Sequence, residues 1–141
     1  MKVLVMNGPN INMVGIREPD VYGKKDFNML LTEIKKQADS LNIEVEMFQS
    51  NSEGAIIDCI QNAHNKFDGI VINPGAYTHY SYAISDAIKA ISVPVIEVHL
   101  SNIHAREQFR RTSVTAEGCI GQISGMGFDS YMLALKYFAS K

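Results

Sequence analysis

Cysteine is scarce in this chain, which carries only Cys59 and Cys119. The two lie far apart in apolar patterns and form no CxxC pair, which favours reduced, packed thiols over a disulfide or a metal clamp. A surplus of one charge is also missing. The formal net charge of −2 gives no electrostatic reason to expect nucleic acid or an anionic membrane as partner, so any basic feature must be local. Long hydrophobic runs are absent too. The N-terminal run KVLVM (2 to 6) is cut short by Asn7, Gly8 and Pro9, which argues against a signal peptide, and no stretch approaches membrane-spanning length. Repeats, linkers and low-complexity segments are likewise lacking. These absences describe a soluble, cytoplasmic protein whose 141 residues form one domain, 1–141, with a sizeable core.

What is present alternates. After KVLVM comes a loop of about twenty residues, and then Phe27, Leu30, Leu31, Ile34, Ala38 and Leu41 recur at helical spacing behind a plausible N-cap, Asp26. Ile43, Val45 and Met47 alternate with Glu44 and Glu46 as in a strand. A second helical stripe joins Ile56, Ile57, Ile60, Ala63 and Phe67, GIVIN (69 to 73) reads as a buried strand, and Ala83, Ile84, Ala87, Ile88 and Ile91 form a third stripe. VPVIEVHL (93 to 100) predicts a fourth strand, Cys119 to Ser124 a fifth, and Tyr131, Ala134, Leu135 and Phe138 a closing helix. Strands separated by helices, two of them apolar on both faces, specify an α/β fold with a parallel sheet covered on both sides. The commonest small arrangement is a flavodoxin-like three-layer sandwich of order 2-1-3-4-5. Its ligands sit outside the carboxyl ends of the strands, near the reversal between strands 1 and 3.

At those ends lie NGPNINMVGIREPDVYGKKD (7 to 26), NPGAYTH (73 to 79) and EVHLSN (97 to 102). The predicted order makes their strands neighbours. One crevice would then pool Arg17, Tyr22, Asn73, His79, His99 and Ser101, with Arg106 and Arg110 a few residues later. The arginines offer planar, permanently charged forks for a carboxylate or phosphate, and Arg106 and Arg110 would share a face if HAREQFRR formed a helical turn. A guanidinium beside a tyrosine lowers the phenol's pKa, which suits Tyr22 to general-base duty. His99, ending a buried strand, is the complementary acid, with Glu97 on the same strand face to orient it. Gly15 and Gly23 bracket the loop segment and would hinge it as a lid over a bound anion. Taken singly, a loop tyrosine or strand-end histidine is more often structural, and only the topological gathering promotes these residues. His79, His99, His104 and Glu97 also admit a reading as metal ligands, though they match no metal-site spacing. His64, Arg111 and the pair Lys24 and Lys25 read as solvated surface.

NGPNINMVGIREPDVYG, QSNSEGAIIDCI, INPGAYTHYS and IEVHLSNIHAREQFRR resemble, in order and spacing, the four signature segments of the type II 3-dehydroquinate dehydratases. The likeness spans nearly the whole chain. It implies a flavodoxin-like subunit that catalyses the third step of the shikimate pathway. The implied reaction is reversible anti elimination of water from 3-dehydroquinate through an enolate, giving 3-dehydroshikimate, with no metal, cofactor or Schiff base. By position, the family's tyrosine base falls on Tyr22, its proton-donating histidine on His99, and the arginine that activates the tyrosine on Arg17. Substrate contacts fall on Asn73, His79, Leu100, Ser101 and Arg110, with Arg106 near the lid. Asn10 falls where it helps hold a water near the enolate, and Glu97 on the acid that orients the histidine. The resemblance also puts Asp86 in the substrate site of an adjoining subunit and implies a homododecamer of four trimers. Tyr80, Thr112 and Ser130 depart from the family's usual threonine, histidine and glycine.

The rival from another class is a non-enzymatic flavodoxin-like module. A phosphoacceptor receiver needs an acidic pair after strand 1 and an aspartate ending strand 3, where this chain has NGPN and Asn73. A flavin carrier needs a Ser/Thr-rich phosphate loop after strand 1, which is also missing.

Overall fold

The computed structural model describes residues 1–16 and 25–141. Five parallel strands form one sheet in the order β2-β1-β3-β4-β5. They are β1 (Lys2–Asn7), β2 (Glu44–Gln49), β3 (Gly69–Asn73), β4 (Val95–His99) and β5 (Gly121–Ser124). Between and after them run α1 (Phe27–Ser40), α2 (Glu53–Ala63), α3 (Tyr82–Ala90) and α4 (Asp129–Ala139). The period-two geometry of β1 explains its unbroken apolar run. Val3 and Val5 face a core built with Leu30, Ile34 and Ala38 of α1 and Tyr131, Leu135 and Phe138 of α4. Leu4 and Met6 face the opposite core, built with Ile56 and Ile60 of α2 and Ile84 and Ile88 of α3. The edge strand β2 alternates instead, with Glu44 and Glu46 more exposed than their neighbours.

Helix starts follow the side chains available. Asp26, Ser52 and Ser81 each accept a hydrogen bond from the backbone N–H three residues on, at Met29, Ala55 and Ile84. Each thereby satisfies one donor that the first helical turn leaves free. The predicted elements are all present, with shifted limits. α2 stops at Ala63, and Phe67 packs on the core from beyond it. β4 begins after Pro94, whose nitrogen has no hydrogen to donate to the ladder, and Val93 and Leu100 are buried outside the strand. A short turn, Ala116–Gly118, takes up Cys119 before β5 starts.

Two glycines draw the carboxyl-end loops of β1 and β3 together. The Gly8 N–H donates to the Asn73 carbonyl at 2.8 Å, and a Cβ on Gly8 would stand 2.4 Å from the Pro74 carbonyl oxygen. Gly75, at φ +63°, would place a Cβ 2.9 Å from the Pro9 carbonyl oxygen. Among the described residues, no helix is long and apolar enough to cross a membrane.

Candidate active site

The loops so joined form a cleft of about 140 Å³ at the carboxyl ends of β1, β3 and β4. Asn10, Asn73, His79, His99, Leu100, Ser101, Arg106 and Arg110 line it, together with apolar groups such as Ile11 and Ile103. Eight expected site residues thus meet in one place. Glu97 stands directly behind, fully buried beneath His99. Asp86 is exposed on α3 and is not part of this chain's cleft lining. Arg17, Tyr22 and Gly23 lie outside the described residues, as does most of the expected lid. Gly15, at its near end, has φ +90° and no room for a Cβ beside Asp26. A wider depression of about 490 Å³ adjoins the cleft through Leu100 and Ser101 and includes Lys25 and Asn102. Among the described residues it is lined by no histidine or arginine, and His79, His99, Arg106 and Arg110 meet in the smaller cleft.

His99 is held from both ends. Its Nε2–H donates to Glu97 Oε2 at 2.9 Å, and its backbone carbonyl accepts from the Ser130 hydroxyl at 2.9 Å. Ser130 Oγ in turn accepts from the Met126 N–H, so the residue standing where the family usually has glycine fastens α4 to the end of β4. Ser124 does the same one step on, donating to the Ser101 carbonyl at 3.0 Å and accepting from the Ile103 N–H at 3.2 Å. The segment that carries His99, Leu100 and Ser101 is thereby fixed to β5 and α4. Burial pushes the Glu97 carboxyl up, but the hydrogen bond and charge of His99 and the donors Thr115 and Gln122 outweigh it, leaving the group below its usual range.

Asn73 holds its own loop in shape. Its Nδ2 donates to the Tyr131 hydroxyl at 2.9 Å and its Oδ1 accepts from the Gly75 N–H at 3.1 Å. The Tyr131 hydroxyl passes the chain on to Asn7 Oδ1 at 2.6 Å. Among the described residues only one of the two Asn73 amide hydrogens is engaged, leaving the other for a ligand. His79 places Nδ1 2.9 Å from the Thr112 carbonyl, which can only accept, so Nδ1 bears the hydrogen. Thr112 contributes through its backbone, and its side-chain identity is immaterial to this contact. Burial lowers the His79 pKa; the Thr112 carbonyl opposes this, while the charges of His99 and Arg110 add to the lowering. A neutral His79 presents Nε2 as an acceptor for a ligand hydroxyl.

HAREQFRR is not one helical turn. Asn102 caps a short turn at Ile103–Ala105 by accepting from the His104 N–H, Arg106 is extended, and a second turn covers Gln108–Arg110. Both arginines nevertheless reach the cleft. Arg110 is braced by Glu107, which accepts from its Nε at 2.6 Å, and by the Phe109 ring, 4.8 Å from the guanidinium carbon. Among the described residues the Arg106 guanidinium donates to no partner, and no carboxylate lines the cleft. The site is built for an anion carrying hydroxyl groups. Among the described residues, no three of His, Cys, Asp or Glu converge as they would around a metal ion. The inward residues that sequence patterns left unmarked are Ser113, Thr115, Gln122 and Ser130, single polar side chains whose roles come from sheet register and loop packing rather than spacing.

The family model described as Dehydroquinase class II matches residues 1–139. A 3-dehydroquinate dehydratase of Clostridium perfringens is 57% identical over 142 aligned residues, covering 100% of this chain and 99% of the relative. Another, from Caldicellulosiruptor saccharolyticus, is 61% identical over 135 residues, covering 95% and 93%. The crystal structure of a type II dehydroquinase from Butyrivibrio crossotus has a TM-score of 0.95 to this fold at 55% identity, covering 98% of this chain and 97% of that one. With the strand order also in agreement, the chain belongs to the class II dehydroquinase family.

Proposed function

We infer that this chain is a type II 3-dehydroquinate dehydratase, a hydro-lyase that eliminates water from 3-dehydroquinate to give 3-dehydroshikimate in the shikimate pathway. The observation that carries the reading is the buried His99, backed by the Glu97 carboxylate and facing a cleft whose described lining includes Arg106 and Arg110 and no carboxylate. A base removes a proton from the carbon beside the ketone, and the electron pair rests on the ketone oxygen as an enolate. That pair returns to form the carbon–carbon double bond as the β hydroxyl departs, protonated by the acid and released as water. His99 is the acid, Tyr22 the base, and Arg17 the cation that favours the phenolate. Glu97 orients the imidazole, and Asn10 holds a water near the enolate oxygen. Arg106 and Arg110 take the substrate carboxylate region, while Asn73, His79, Leu100 and Ser101 hold its hydroxyls and ring. No cofactor enters. One catalytic domain, 1–141, supplies these groups, and Asp86 of a neighbouring subunit completes the pocket within a cytoplasmic dodecamer.

Mixing the protein with 3-dehydroquinate and a chelator, and following the ultraviolet absorbance of the conjugated enone, tests the reading. Wild type should form enone rapidly. Tyr22→Phe and His99→Ala should each lose at least about 100-fold in kcat while remaining folded. Activity surviving Tyr22→Phe would move the base elsewhere, and no enone from folded wild type would reject the dehydratase.

A further inference from the structure

Four donors converge on one carboxylate behind the cleft. Glu97 is 0% exposed. Its Oε2 accepts from His99 Nε2 at 2.9 Å, Ser113 Oγ at 2.8 Å and Gln122 Nε2 at 2.6 Å, and its Oε1 accepts from Thr115 Oγ1. The donors come from three places in the chain. His99 lies two residues along β4, and Gln122 is the register partner of Glu97 across the β4–β5 ladder. Ser113 and Thr115 arrive from the segment before the turn at Ala116–Gly118, and Ser113 Oγ is anchored by accepting from the Ala116 N–H at 3.0 Å. We propose that Thr115, Ser113 and Gln122 are positioning residues for the reaction, pinning the Glu97 carboxylate so that it holds His99 in one tautomer and one orientation. This rests on the dehydratase reading above.

A buried carboxylate must be paired or richly hydrogen-bonded, or it neutralises by taking up a proton. Among the described residues, no lysine or arginine forms an ion pair with Glu97, and its only such partner is His99. The other titratable groups around it are His79, from the turn after β3, and Cys119, ahead of β5. Burial and the Glu97 charge push the Cys119 thiol up to about 12, so it stays neutral. Fixed neutral dipoles therefore carry the anion, and they do not change when His99 gains or loses its proton. The negative end of the pair stays directed at Nε2, and Nδ1 is left to exchange a proton with substrate. Thr115 has a distinct part. Among the described residues it is the single donor to Oε1, and it is itself 0% exposed, so it sets the rotation of the carboxylate about its axis.

Thr115→Val keeps shape and removes the donor, Thr115→Ser keeps the donor, and Gln122→Met removes the amide from the opposite side. Thr115→Val and Gln122→Met should each lower kcat at least about tenfold, the loss of one hydrogen bond to a charged group, with KM for 3-dehydroquinate held within about threefold. Thr115→Ser should stay within about threefold of wild type. The ring-nitrogen NMR shifts of His99, read without substrate at a pH where the ring is neutral, should show Nε2 protonated in wild type and a tautomer mixture in Thr115→Val. Serine as damaging as valine would reduce Thr115 to a packing role and overturn the proposal. So would valine and methionine variants with kcat within about twofold of wild type. If wild type forms no enone, the dehydratase reading fails by itself; a single His99 tautomer in all variants would still overturn the network, and a mixture in Thr115→Val would still support it.

Discussion

At the scale of the residue, the Glu97 carboxylate couples the site to stability. Burial alone would raise its pKa, and the hydrogen bonds and charge gathered around it bring it below the ordinary 4.5. A carboxyl whose folded pKa is depressed stabilises the fold fully above its unfolded pKa, and that contribution is lost as the pH falls through the folded value. Glu97→Gln removes the anion and sets an amide NH₂ among groups that donate, so the variant should be less stable than wild type by about 3 kcal/mol at neutral pH. The gap should narrow once the pH drops below about 4.5, where the unfolded chain takes up a proton at this position that the folded carboxylate resists. Urea unfolding at about pH 7 and about pH 3.5 measures both differences. An equal gap at the two pH values would mean that the loss comes from packing and not from charge.

At the scale of the element, the site depends on how closely the β1 and β3 loops approach. Gly8 stands against the Pro74 carbonyl, and a Cβ there would come within 2.4 Å of backbone atoms that have no rotamer through which to move aside. Gly8→Ala should therefore destabilise the protein by about 2 kcal/mol and raise KM more than it lowers kcat, because the cleft floor widens while His99 stays on β4. Denaturant melts and steady-state kinetics on one preparation check both halves, and an unchanged KM would detach the loop contact from substrate binding. The same elements show how far the sequence could be read. KVLVM and GIVIN declare themselves as strands because both faces are apolar, and Asp26 announces α1 because only a short polar side chain can cap it. Topology then brings Asn73, His79, His99 and Ser101 together without any contact being known. HAREQFRR misleads because Arg106 and Arg110 have helical spacing, yet Asn102 caps a turn too short to include Arg106. Thr115 and Gln122 stay silent for another reason. Their meaning comes from the β4–β5 register and a packed loop, and an isolated threonine or glutamine carries no periodic signal.

At the scale of the whole molecule, the open question is whether one chain makes a complete site. Asp86 is exposed on α3, one turn beyond Tyr82, which is 71% exposed, and close in sequence to Tyr80, which is 57% exposed. Large exposed aromatic groups are a poor use of free surface, and the assembly proposed above would let a second copy of the chain cover them. The family's assembly predicts a particle of twelve 15.6 kDa chains, and light scattering on the purified protein measures that directly. A stricter test asks whether Asp86 acts across the boundary. Asp86→Ala and His99→Ala should each be weak or inactive alone, the first for want of a neighbour's carboxylate and the second for want of its own acid. Co-expressed in equal amounts, they should assemble at random. Half the chains then retain His99, and about half of their neighbours supply Asp86, so activity should return to roughly a quarter of wild type. Recovery near that level would establish that the site is shared between subunits. If the mixture stays as inactive as its parents while assembling to full size, Asp86 serves its own chain or none, and the cleft of a single subunit must be sufficient for turnover.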